Sequence, residues 1–303
     1  MRRSRIRFAL VAAVLAMSLP LTACGTDSGG DSGIEVASAT TVNTPVKQAV
    51  ETDYDRNKFS KSTTIDNRWA PLKPGAQFVT EGGATVDGER IRRRVVFTVT
   101  DLTKVIDGVR SVVIWDRDYN NDVLVEAELA YFAQDDDGNV WQMGQYPEEY
   151  EDGKLVGTPA WIAGLEGAKP GILMRADPRL GTSDYSQGWG PKVEYADRAK
   201  VLKTGQKTCV TLGCYEDVLL TQEWDEADPA AKQLKYYAAD VGNVRIGWSG
   251  ADEEKETMIL TRLGHLDAGE LAQAREEATK LEQNAYKVLK NLYSRTQPAQ
   301  HTP

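Results

Sequence analysis

The sequence predicts a mainly β protein of the α+β class: an antiparallel meander sheet followed by one long C-terminal amphipathic helix. Three observations carry that expectation. Runs of β-branched and aromatic residues succeed one another through residues 57–266. Asp-Gly and Gly-Asn pairs punctuate them, and these are hairpin turn residues because they tolerate positive φ. After Asp267 the apolar spacing changes to alternating threes and fours.

Each element has its own warrant. "RRRVVFTVTDLTKVI" runs into the Asp107–Gly108 turn, and "VRSVVIWDRD" leaves it. "VLVEAELAYFAQ" leads to "DDDGN", a turn sequence, and then to "VWQMGQ". "EDGKLV", "YEDVLLTQEW", "LKYYAAD", "VRIGW" and "ETMILTRL" complete the strands. "KVEYADRAKVL", residues 192–202, is expected to form a short helix between strands. Leu271, Ala274, Ala278, Leu281, Ala285, Val288 and Leu292 make one apolar stripe on a helix over residues 267–295. Asp267 with Glu270 has the spacing of a capping box. The stripe suits packing on the chain's own sheet; a partner-binding or self-pairing helix is the other reading. Residues 296–303 read as a disordered tail.

The N-terminus has the composition of a targeting segment. Arg2, Arg3, Arg5 and Arg7 precede an apolar run over 8–19 that is too short to cross a bilayer, and "LTAC" follows at 21–24. Residues 1–23 therefore read as a signal peptide. The "LTAC" ending resembles a bacterial lipobox. That resemblance implies cleavage before Cys24 and attachment of a diacylglycerol to its thiol, with further acylation of the new amino end. An ordinary signal peptide with a cysteine at the cut is the plainer reading. Two acyl chains anchor stably, so the expected location is extracytoplasmic, lipid-anchored to the cell membrane. Residues 24–56 are rich in Gly, Ser, Thr, Asp and Ala without a period, as in a flexible tether.

Charge and cysteine usage narrow the partners. The chain carries 36 Lys+Arg against 45 Asp+Glu, a net charge of −9. Loss of residues 1–23 removes four arginines and no acids, which moves the net charge to −13. Nucleic acid is not an expected partner. With Cys24 acylated, Cys209 and Cys214 remain, and across a "VTLG" turn in an oxidising compartment they are expected to form a disulfide.

Between about 67 and 266 the chain resembles an uncharacterised family of secreted and lipid-anchored actinobacterial proteins. The stretches that carry the resemblance are "NRWAPLKPGAQFVTEG", "AYFAQDDDGNVWQMGQ" with "EYEDGKLV", "YEDVLLTQEW" and "KYYAADVG". The sequence departs from that group at Ala239–Asp240, where Pro-Gly is commoner, and at the Cys209/Cys214 pair. The resemblance implies a curved antiparallel sheet, similar to periplasmic lipoprotein-carrier folds. It implies no activity.

Most catalytic arrangements have no matching residues. His265 and His301 are the only histidines, and His265 lies at the end of the domain beside the tail helix, so a Ser-His-Asp or Cys-His arrangement has little to work with. No G-x-S-x-G, P-loop or dinucleotide fingerprint occurs. The aromatic-glycine loop around Trp161, Tyr185, Trp189 and Tyr195 suits either a ligand groove or a cover for the sheet.

The acidic hairpin "WDRDYNNDVLVEAE" is the one pronounced cluster. Its strand period places Asp116 and Asp118 on one face, with Glu126 and Glu128 sharing a face on the return. Asp116 is expected near Glu126, and Asp122 or Glu128 would complete the set. Hard oxygen ligands in that number suit calcium. An EF-hand is excluded because its twelfth position is Ala127 and its glycine position is Asn121. A solvated acidic face, offset by Arg93, Arg94 or Arg110, is the alternative. The sequence is thus read as a lipoprotein that binds a small or amphipathic ligand, or an envelope partner, without transforming it. An extracytoplasmic hydrolase acting on carbohydrate or lipid is the second reading.

Overall fold

The computed structural model describes residues 49–301. Turn residues set its hairpins. Strand β1 (Ala76–Val86) returns as β2 (Glu89–Ile106), β2 as β3 (Val109–Asn120), and β3 as β4 (Val123–Gln134). The linking residues Asp87, Asp107, Asn121 and Asp122 all have φ between 47° and 68°. Short Asn and Asp side chains tolerate that left-handed region best after glycine. The "DDDGN" segment before β5 (Val140–Glu151) is a turn held by Asp135, whose carboxylate accepts the Asp137 and Asn139 backbone N–H groups and the Trp141 indole N–H.

Short pieces follow: β6 (Lys154–Gly157), β7 (Trp161–Ile162), β8 (Lys169–Met174), β9 (Tyr185–Ser186) and β10 (Gly188–Trp189). The meander resumes with β11 (Asp197–Val210), β12 (Gly213–Asp225), β13 (Ala231–Ala238), β14 (Gly242–Gly250) and β15 (Thr257–His265). The strand order is β10-β8-β5-β4-β3-β2-β1-β15-β14-β13-β12-β11-β9 in one open sheet. The expected helix over 192–202 is not formed. Asp197, Ala199 and Val201 alternate onto one buried face of β11 instead, a period of two that only a strand can satisfy.

The helix α1 (Ala268–Val288) begins where the capping box places it. Asp267 accepts the Glu270 N–H at 2.9 Å, and Glu270 accepts the Asp267 N–H at 2.9 Å. Ala278, Leu281 and Ala285 are buried with Tyr131, Met143 and Tyr146 of the sheet, and Ala274 is buried too. The stripe therefore packs on the chain's own sheet. Val288 is exposed because the helix ends there: Leu289 leaves helical geometry, and the short α2 (Lys290–Tyr293) turns Leu292 and Tyr293 back into the core.

Lys104 of β2 pins this layer. It is fully buried and bonds Glu282 at 2.8 Å and the Gln297 carbonyl at 2.6 Å. The Ala299 N–H also bonds the Glu282 carboxylate, and β16 (Gln300–His301) pairs with Leu102 and Thr103 of β2. Described residues 296–301 thus differ from the expected disordered tail; satisfying a buried lysine and a buried glutamate is what orders them. The folded part also begins before residue 57, since the Tyr54 ring lies 5.5 Å from that of Trp141.

Cys209 and Cys214 face each other across the β11–β12 pair and are bonded, with an S–S distance of 2.02 Å. The closed loop is short and both residues are exposed. Replacing both with serine is expected to cost about 2 kcal/mol or less, read as a small shift of the urea midpoint with an unchanged slope.

The opposite, concave face holds a second apolar cluster. Ile114 and Phe132 from β3 and β4, and Val201, Leu219 and Tyr237 from β11 to β13, close around Ile65, Ala70 and Leu72. The sheet must curve for its two wings to meet one segment.

Candidate functional site

Beyond that apolar half, the concave face turns acidic. On β3 and β4 the register pairs Asp116 with Glu128 and Asp118 with Glu126, and β5 adds Glu149 opposite Glu126. Cross-strand partners share a face, so five carboxylates lie side by side. The expected neighbour of Asp116, Glu126, is replaced by Glu128. The cause is a bulge: the register shifts between Asp118 and Tyr119, leaving Val125 as an extra residue on β4. Asp122 stands apart from the set. It sits at the hairpin tip with φ 68° and pairs with Arg92 at 2.7 Å in solvent.

Arg93 carries the offsetting charge that the sequence suggested. Its guanidinium lies 3.4 Å from Asp118, 3.2 Å from Glu256 and 3.6 Å from Glu254. Arg94 lies over the Tyr119 ring, and Arg110 bonds Thr103 and Gln300. Neither serves the acidic face.

Glu128 is strongly perturbed. It is 6 % exposed, and its carboxyl is pushed up to about 8, first by burial and then by the charges of Asp116 and Asp118. Among the described residues its Oε1 has no hydrogen-bond partner, and neither has Oε1 of Glu149, which is 8 % exposed. On β5 the residue opposite Glu128 is Pro147. Glu149 went unnoticed in the sequence because its face depends on the β4–β5 register.

The other wing faces this cluster. Tyr195 feels the charges of Asp197, Glu128 and Glu223, which with burial hold its hydroxyl well above the usual phenol range. The Tyr195 hydroxyl reaches Gln142 Oε1 at 3.4 Å, and its ring packs on Trp161 with centroids 5.1 Å apart. Glu223 is 2.7 Å from Lys235, which holds its carboxyl below the usual range against the opposing effect of burial. In the aromatic-glycine loop, Trp161 and Tyr185 are buried and only Trp189 is exposed, so the loop mainly covers the sheet. Among the described residues no three His, Cys, Asp or Glu side chains form a metal-ligating group, and no helix is long and apolar enough to cross a membrane. Cys24 lies outside the described residues.

No family model matches the chain, and no curated protein sequence matches it. Two solved structures are similar. One is a presumed exported protein with a YmcC-like fold from Bacteroides fragilis, 13 % identical, covering 65 % of this chain and 99 % of its own, with a TM-score of 0.39. The other is a presumed lipoprotein from Parabacteroides distasonis, 10 % identical with the same coverage and a TM-score of 0.38.

Proposed function

We propose that the chain is an extracytoplasmic lipoprotein, held at the cell membrane through acylated Cys24, whose β-rich domain binds a ligand or envelope partner without transforming it. The stretches that resemble the secreted and lipid-anchored actinobacterial group support that reading. The basic leader, "LTAC" and a formed Cys209–Cys214 bridge all suit an oxidising compartment outside the cytoplasm. One observation carries the binding reading: Glu128 and Glu149 are buried on a concave face with carboxylate oxygens that nothing described here bonds. Each such oxygen costs roughly 1–3 kcal/mol, a cost that a ligand's donors would offset. Calcium is a ligand class that an oxygen-rich face suits.

A hydrolase is the second reading, favoured by the opposite shifts of Glu128 and Glu223 around Tyr195. Such a split is what an acid and a base require. The ion pair with Lys235 commits Glu223 elsewhere, so binding is preferred.

Two measurements test the proposal. Cys24→Ser is expected to leave the membrane fraction and to lose the mass of the lipid; a variant that sediments with membranes as the wild type does sinks the lipoprotein reading. Native mass spectrometry of the chain purified from its own host is expected to show a bound small molecule or partner. A bare polypeptide mass would count against binding.

A further inference from the structure

We infer that the acidic end of the concave face binds an organic cation, with carboxylate oxygens of Glu128 and Glu149 receiving the N–H donors of an ammonium or guanidinium group. This rests on the binding reading above and names the chemistry of its ligand.

The apolar half of the concavity is already filled by Ile65, Ala70 and Leu72, so the acidic half is the part left to meet a ligand. There, two carboxylates from adjacent strands are more than nine-tenths buried, each with an oxygen lacking a described partner. The surroundings exclude an anion. Glu128 faces Asp116 and Asp118 of β3, Glu126 of its own strand and Tyr195 ahead of β11. Among the described residues, two cations that meet this network, Arg93 and Lys235, are each held in ion pairs. Donors are also scarce across the ladder, where β5 offers Pro147 beside Glu128 and Glu149 beside Glu126.

The geometry favours N–H donors over a metal ion. A divalent metal needs several oxygens gathered into one shell, and the described residues provide no such group. An ammonium or guanidinium carries several directional donors that can reach oxygens on separate strands. Arrival of a cation beside Glu128 must also displace the proton which that carboxyl retains near neutral pH. Binding and proton release are then linked.

Isothermal titration calorimetry of the full chain in non-ionic detergent tests this, with n-hexylammonium, agmatine, trilysine, tetramethylammonium and calcium chloride as probes. The N–H-bearing probes should bind and tetramethylammonium should not, although it carries the same charge as hexylammonium. Affinity should rise about tenfold per pH unit below 8 and level off above it. Glu128→Gln should weaken binding at least tenfold at pH 8.5 and abolish the pH dependence. Glu149→Gln should weaken binding while leaving the pH dependence in place. Tighter binding of trilysine than of the small amines would make the source a basic polypeptide, and the reverse a free amine; both support the inference. Equal binding of tetramethylammonium, unchanged binding by Glu128→Gln, or binding of calcium alone overturns it. If no cation binds while native mass spectrometry still finds a ligand, the cation assignment fails and the binding reading stands.

Discussion

Lys104→Ala is expected to lower stability by about 3 kcal/mol, the cost of leaving a buried charge without its counter-ion. The partner left behind is Glu282, itself 4 % exposed and retaining only the Ala299 N–H and whatever water enters. The same change frees the Gln297 carbonyl and so loosens the strand formed by Gln300 and His301. Replacing both charges, with Lys104→Met and Glu282→Leu together, should restore most of the loss, because an apolar pair of similar volume removes the desolvation cost. Urea unfolding of the two variants checks this, and equal losses in the single and double variants would show that packing rather than charge decides it.

Glu128→Gln should act in the opposite direction. In the unfolded chain the carboxyl ionises near its ordinary value of 4.5, whereas the folded one holds its proton to about 8. Between those values the folded state binds more protons, so this group's contribution to stability falls as pH rises and levels off above about 8. At roughly 1.4 kcal/mol per pH unit, the wild type should lose on the order of 2–3 kcal/mol between pH 4.5 and 7 through this residue. Glutamine keeps the neutral form at every pH, so the variant should be the more stable protein at pH 7 and above. Thermal melts across pH 5 to 9 measure it. Parallel curves for wild type and variant would show that Glu128 ionises normally.

Much of the architecture was legible in the sequence. The turns at Asp107–Gly108 and Asp135–Asn139 and the capping box at Asp267 are local chemistry, determined within a few residues. The helix stripe was legible for the same reason, up to Val288, where the bend at Leu289 answers to tertiary packing. The error at residues 192–202 had a different source: "VEYADRAKVL" suits either period, and pairing with β12 decides for the strand. The site was legible as a set of acids and not as an arrangement. Asp116, Asp118, Glu126 and Glu128 could be placed on faces by counting, but the β4 register slip and the arrival of Glu149 from β5 are non-local. Asp122 was drawn into the set by sequence proximity, although its turn conformation points it to Arg92 and solvent.

Val125 gives the chain an unusual sensitivity to length. If the same residues paired on from the Asn120–Val123 closure without the bulge, Asp118 would face Val125, and Glu126 and Glu128 would emerge on the helix-covered side of the sheet. Deleting Val125 itself would leave Asp118 against Glu126 and Asp116 against Glu128, whereas one residue inserted beside it, with the bulge no larger, would force two carboxylates toward Tyr131 and Leu129. Hairpin tips ordinarily accept insertions and deletions freely. In this hairpin the bulge sets the direction in which length can vary: one residue fewer at 125 keeps the acidic frame, and one more breaks it.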